Sequence, residues 1–121
     1  MRAIVTGGRA FWDGDAVRSA LDYLRPTEIA QGGALGADYL ARWWAWANKV
    51  PCRTYPANRQ RFGRRAGPIR NKAMWAAERP DATVAFVGGN GTESMKKITM
   101  RQGGWLYEVP AGFRGGAIER R

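Results

Sequence analysis

Three apolar runs in this chain end in a Gly-Gly pair, and a helical pattern follows each of them. Ala3-Ile4-Val5-Thr6 leads into Gly7-Gly8-Arg9, and Thr27 to Gln31 leads into Gly32-Gly33-Ala34-Leu35-Gly36-Ala37-Asp38. Ala82 to Val87 leads into Gly88-Gly89-Asn90-Gly91-Thr92-Glu93. Strand, glycine turn and helix in succession build a parallel α/β sheet, and glycine lets a ligand come close to the backbone. The helix after each turn directs unpaired N–H groups and the positive end of its dipole at an anion. A single Gly-Gly pair is ordinary turn chemistry. Three of them, on strands that can end along one sheet edge, point to a phosphate site.

Periodicity places strands at about 2–6, 27–31, 52–55, 82–87 and 105–109, and helices at about 14–24, 37–49, 69–79 and 92–102. Val17, Ala20, Leu21 and Leu24 give the first helix one apolar face. Leu40, Trp43, Trp44 and Ala47 form the expected buried stripe of the second, with Trp46 off that stripe. Pro26, Pro51 and Pro80 close successive units, and Cys52 reads as a buried, inert strand residue. The segment 56–68, with four arginines among Pro56, Gly63, Gly67 and Pro68, reads as a long loop of the kind that forms lids or binding segments. The resulting expectation is one α/β domain over 1–110, a Rossmann-like doubly wound parallel sheet of about five strands with helices on both faces. Its ligand would sit beyond the carboxyl ends of the strands. The glycine-rich, basic stretch 111–121 reads as a mobile tail.

The net charge is +10, and no acidic residue occurs between Tyr39 and Ala77. Such a field attracts phosphates, on a nucleotide or on nucleic acid, although an arginine-rich surface also serves solubility. The lone Cys52 excludes an internal disulfide, and the absence of His removes most zinc sites and catalytic triads. No metal and no resident cofactor is expected. No apolar stretch approaches the roughly 20 residues of a membrane span. Met1-Arg2-Ala3-Ile4 enters strand one without room for a signal peptide, so a cytoplasmic protein with no membrane partner is expected.

The third glycine loop offers several backbone N–H donors and the Thr92 hydroxyl to one phosphate, with Glu93 next in the chain. It is not a Walker A loop, since no Lys follows in the required place, and Ser94 replaces the third glycine of a dinucleotide fingerprint. In Ala66-Gly67-Pro68-Ile69-Arg70-Asn71-Lys72, Gly-Pro starts a helix and sets Arg70 and Lys72 in its first turn. Cations are disfavoured there unless an anion binds, so Arg70 is a candidate bidentate phosphate ligand and Asn71 a reader of a base or ribose. Trp12, beside the first glycine loop, is the candidate for stacking on a base. Asp38 is either a ligand contact or a partner of its own helix dipole.

Taken together, Thr6-Gly7-Gly8-Arg9 with Phe11 and Asp13, Gly32 to Asp38, Tyr55-Pro56-Ala57, Ala66 to Asn71 with Met74, and Gly88 to Thr92 resemble the YspA-type (YpsA-related) family of the SLOG superfamily. That superfamily also includes the Lonely Guy phosphoribohydrolases and DprA. The resemblance runs in order from about residue 3 to 110, and it implies a Rossmann-like fold with a site for nucleotides or nucleotide-derived ligands. Lonely Guy enzymes carry a catalytic glutamate three residues after the threonine of their Gly-Gly-x-Gly-Thr loop. Here that position is Met95, while Arg70 matches their arginine. Glu93 would point roughly 200° away around the helix, so it stands as a catalytic candidate only if the chain is an enzyme.

The expected function is therefore binding of a phosphate-bearing nucleotide or nucleotide-derived signal, by a sensor or a sequestering protein. The expected contacts are Thr6, Gly7, Gly8, Arg9, Trp12, Gly32, Gly33, Gly36, Asp38, Arg70, Asn71, Gly88, Gly89, Asn90, Gly91, Thr92 and Glu93. A phosphoribohydrolase or N-glycosidase is one alternative. A DNA- or RNA-binding module using the arginines of 53–72 is another. Six Trp, with Trp46 away from the expected stripe, also lead to the expectation of a homo-oligomer built on dimers.

Overall fold

The computed structural model describes residues 1–121. Strands β1 (Arg2–Thr6), β2 (Glu28–Gln31), β3 (Cys52–Thr54), β4 (Ala82–Ala85) and β5 (Trp105–Glu108) form one parallel sheet in the order β3-β2-β1-β4-β5. Helices α1 (Gly14–Leu24) and α2 (Ala37–Ala47) cover one face. Helices α4 (Ala66–Glu78) and α5 (Asn90–Arg101) cover the other. A short α3 (Arg59–Phe62) lies between β3 and α4. This is the Rossmann-like doubly wound sheet that the sequence implies, with its change of direction between β1 and β4.

Strand alternation divides the core between the two faces. Ala3, Val5, Ile29, Val84 and Phe86 face α1 and α2 with Val17, Leu21 and Trp44, while Ile4 and Ala30 pack on Met74, Met95 and Ile98 of α4 and α5. Thr83 would be an isolated polar group on that second face, but Thr99 donates to its hydroxyl at 2.7 Å.

Three expectations need correction. First, α2 buries Ala37, Asp38, Ala41, Trp44 and Ala45, whereas Trp43 is exposed and Ala47 is not part of the stripe. The helix sits so close to the sheet that a Cβ on Gly7 would lie 2.5 Å from the Cβ of Ala37, so small residues take the inner face and large ones turn outward. Second, 56–68 is not an open loop. Asn58 caps α3 by accepting from the Arg61 amide, a 3₁₀ turn covers Gly63–Arg65, and α4 follows at once. Third, 111–121 is fastened to the domain. Phe113 and Ile118 enter the core beside Val109, and Leu106 and Arg121 exchange backbone hydrogen bonds at the β5 edge.

Candidate functional site

The three glycine loops meet at the carboxyl edge of the sheet, but their amides are used differently. In the first, the Gly8 N–H donates to the Val87 carbonyl at 2.9 Å, and the Gly8 carbonyl accepts from Phe11 and Ala37. Gly36 has φ +77 and comes so close to the carbonyls of Gly8 and Arg9 that no side chain fits. The first loop is thereby clamped between the other two. Arg9 lies exposed at its rim.

In the second loop an acceptor from the chain itself takes the amides. The Asp38 carboxylate accepts from Gly32 and Ala34, each at 3.2 Å, and the Gln31 side chain accepts from Gly33 at 2.6 Å. Asp38 is almost wholly buried, and burial pushes its pKa up to about 6 against the pull of the Ala34 amide, the Arg70 charge and the Gly32 amide. This carboxylate takes two amides of the loop that precedes α2. The amides of Gly32, Gly33 and Ala34 are therefore already taken within the chain.

The third loop keeps its donors open. Helix α5 starts after Gly89, which supplies no side-chain cap, and the amides of Asn90, Gly91 and Thr92 have no acceptor in the chain. Thr92 is buried, its hydroxyl lies tight under the Gly88 Cα, and it makes no hydrogen bond with the protein. A Cβ on Gly89 or Gly91 would meet no atom within 4 Å, so neither lacks a side chain for want of room within the fold. Unpaired amides at a helix N-terminus, with open space before them, are donors of the kind that receive anions.

Arg70 joins the second loop to the third. Its Nη1 donates to the carbonyls of Gly32 (2.9 Å) and Tyr55 (3.0 Å), and its Nε donates to the Asn71 side-chain oxygen (2.8 Å). Asn71, itself buried, donates onward to the Gly91 carbonyl at 3.1 Å and to the Ser94 hydroxyl at 3.3 Å. A Cβ on Gly32 would collide with the Arg70 guanidinium, so any side chain there requires that guanidinium to move. Burial lowers the Arg70 pKa, and the Asp38 charge acts against that shift.

Two readings of this segment change accordingly. Helix α4 begins at Ala66, so Arg70 stands in its second turn and protein carbonyls hold it. Only Nη2 remains without a protein acceptor, so a bidentate grip is not available in this geometry. Asn71 is committed at both ends and faces the α5 backbone instead of the open edge.

The remaining candidates separate from this cluster. Trp12 packs edge-on against Tyr39 of α2, with ring centroids 5.7 Å apart. Glu93 pairs with Lys96 at 3.1 Å, and Lys96 also reaches Glu108 at 2.8 Å, on the β5 side of α5. Met95 is fully buried on the inner face of α5. Sequence reading missed Gln31 and Tyr55. Gln31 carries no motif signal, and Tyr55 contributes only its backbone carbonyl to Arg70 while its hydroxyl donates to Glu78.

Residues 1–62 match the profile of the YspA, cpYpsA-related SLOG family. The chain belongs to this family. The matched half runs from β1 through α3 and includes the first two glycine loops, while Arg70 and the Gly88–Thr92 loop lie beyond it. Membership of this SLOG family is consistent with binding of nucleotide-related ligands. Comparison with curated proteins gives no match. No helix is long and apolar enough to cross a membrane.

Proposed function

We propose that this protein binds a phosphate-bearing nucleotide or nucleotide-derived signalling molecule at the carboxyl edge of its sheet. The phosphate lies on the amides of Asn90, Gly91 and Thr92 and on the Thr92 hydroxyl, with Arg70 Nη2 turned toward it. The nucleoside runs along the wall made by Gly7–Arg9 and Gly32–Asp38. The observation that carries this reading is the free helix start of α5, where Asn90, Gly91 and Thr92 have no acceptor in the chain, set against Gly32, Gly33 and Ala34, whose amides Asp38 and Gln31 already take. Binding without hydrolysis is the favoured mode, because the position of the Lonely Guy glutamate is a core methionine and Glu93 is turned toward Lys96. The role is that of a sensor or a sequestering protein. Calorimetric titration with nucleoside mono-, di- and cyclic phosphates and ADP-ribose-like ligands tests it. Saturable binding of at least one ligand, weakened by Thr92→Val, is expected; no binding across the set refutes the proposal.

One observation favours a second reading. Arg59, Arg61, Arg64 and Arg65 form no ion pair, so the α3 segment offers free cations to a polyanion. Binding of nucleic acid there would fall steeply with salt, with a log–log slope near −0.9 per phosphate neutralised on duplex DNA. Reversal of Arg61, Arg64 and Arg65 would abolish it while mononucleotide binding survived.

A further inference from the structure

The outer side of α2 carries an aromatic ladder that the candidate site does not use. Tyr39, Trp43 and Trp46 fall at i, i+4 and i+7, opposite the inward Ala37, Ala41 and Ala45. Trp12 extends the row, and the successive centroid separations are 5.7, 6.3 and 5.4 Å. These four rings stay 41–75% exposed. With about 150–250 Å² per aromatic side chain, the row leaves roughly 450 Å² of aromatic surface in water. That is about half of the ~800 Å² that each partner contributes to a standard interface, and scattered surface hydrophobics do not form such a row.

The flanks differ in charge. Toward α1 the groove between the helices is lined by Asp13, Asp15, Asp22 and Arg18 beside Trp43, a net acidic flank in which Arg18 pairs with Asp15 at 2.8 Å and Asp22 has no cationic partner. Asp22 accepts from the Trp44 indole through Oδ1 at 2.8 Å. Toward the β3 edge lies Arg42, beside Tyr39, Trp43 and Trp46 and within electrostatic reach of Cys52. We infer that a second copy of this chain covers the ladder, in a two-fold pairing whose axis runs along α2. That axis sets the two α2 helices side by side in parallel, with Arg42 of each copy opposite the Asp15–Asp22 flank of the other. An antiparallel pairing would bring acidic flank onto acidic flank. The surface is apolar along its centre and oppositely charged on its two sides, so it complements itself as an isologous contact requires. This inference stands independently of the proposed ligand.

Sedimentation velocity over a range of protein concentrations and salt tests it. A species with the mass of two chains is expected. Trp46→Glu and Trp43→Glu should each give a single-chain species whose circular dichroism matches the wild type, since both side chains face outward. Arg42→Asp should weaken the dimer about tenfold, ~1.4 kcal/mol, and Arg42→Asp with Asp15→Arg should recover most of that loss. A wild type that stays a single chain at every concentration overturns the inference, as does a dimer indifferent to both tryptophan variants. Failure of the charge swap to restore association overturns the parallel arrangement. Quenching of tryptophan emission by a single-stranded oligonucleotide, without self-association, would assign the ladder to nucleic acid instead.

Discussion

Replacing Gly89 by Asp should make this protein more stable and unable to bind its ligand. Gly89 is the N-cap of α5, with φ −107, no side-chain cap, and open space where a Cβ would stand. Aspartate is among the best N-cap residues, and its carboxylate accepts from the second and third helical amides. Here those amides belong to Gly91 and Thr92, two of the three assigned to the phosphate. Capping contributes about 1 kcal/mol, and the charge near the dipole adds up to about 1 more. A net gain of 1–2 kcal/mol raises Tm by roughly 5 °C for a domain of this size. The same carboxylate takes the amides and repels an incoming phosphate, which at about 4 Å and an effective dielectric near 20 costs on the order of 4 kcal/mol. Affinity should therefore fall by roughly a hundredfold or more. Differential scanning calorimetry and nucleotide titration of the same preparation read both effects. A fall in Tm refutes the view of α5 as an uncapped helix start. A rise in Tm with unchanged affinity refutes the placement of the phosphate.

Further outcomes follow from neighbouring residues. Gly32→Ala should displace the Arg70 guanidinium, lowering stability by about 2 kcal/mol and weakening ligand binding; an unchanged Tm would show that Arg70 tolerates the methyl. Asp38 titrates near 6 in the fold against an ordinary 3.8, so the folded state holds the extra proton between those values. Its contribution makes stability fall as pH rises from about 4 to 6, by roughly 3 kcal/mol, and level off above. Urea unfolding of wild type and Asp38→Asn across that window should show the slope only in the former. Glu78 acts in the opposite sense, because hydrogen bonds from Arg53 hold its carboxyl below the usual 4.5. Its stabilisation is present above that value and is lost as pH falls through the folded pKa. Met95→Glu, which restores the Lonely Guy glutamate, should bury an unpaired carboxylate and cost several kcal/mol without releasing base from nucleoside monophosphates; base release by this variant would show that the position faces the site.

The centre of the sheet was legible because β1 and β4 carry short apolar runs that end in glycine pairs, as strands covered on both faces require, and the polar edge strand β3 was placed by Pro51 before it. Helix α2 was misread at Trp43 because periodicity weighted the largest hydrophobic residues, whereas the close approach of Gly7 to Ala37 admits only small ones on the inner face. The tail was misread because its glycines outnumber Phe113 and Ile118, yet those two side chains suffice to anchor it. Within the site, the motifs located all three loops and Arg70. They could not distinguish a loop whose amides Asp38 already occupies from one left open. That difference lies in side-chain direction, and spacing does not encode it. The same limit applies to Asn71, adjacent to Arg70 in sequence but turned into the α5 backbone.

The central claim is that the open amides of the third loop, and not those of the second, hold the phosphate. Amide proton–nitrogen correlation spectra recorded during titration with a nucleoside monophosphate test this directly. The account predicts the largest, saturable shifts at Asn90, Gly91 and Thr92, with Gly32, Gly33 and Ala34 moving little because Asp38 and Gln31 already accept from them. Large shifts at Gly32–Ala34 or along Arg59–Arg65, with Asn90 to Thr92 unmoved, would contradict it.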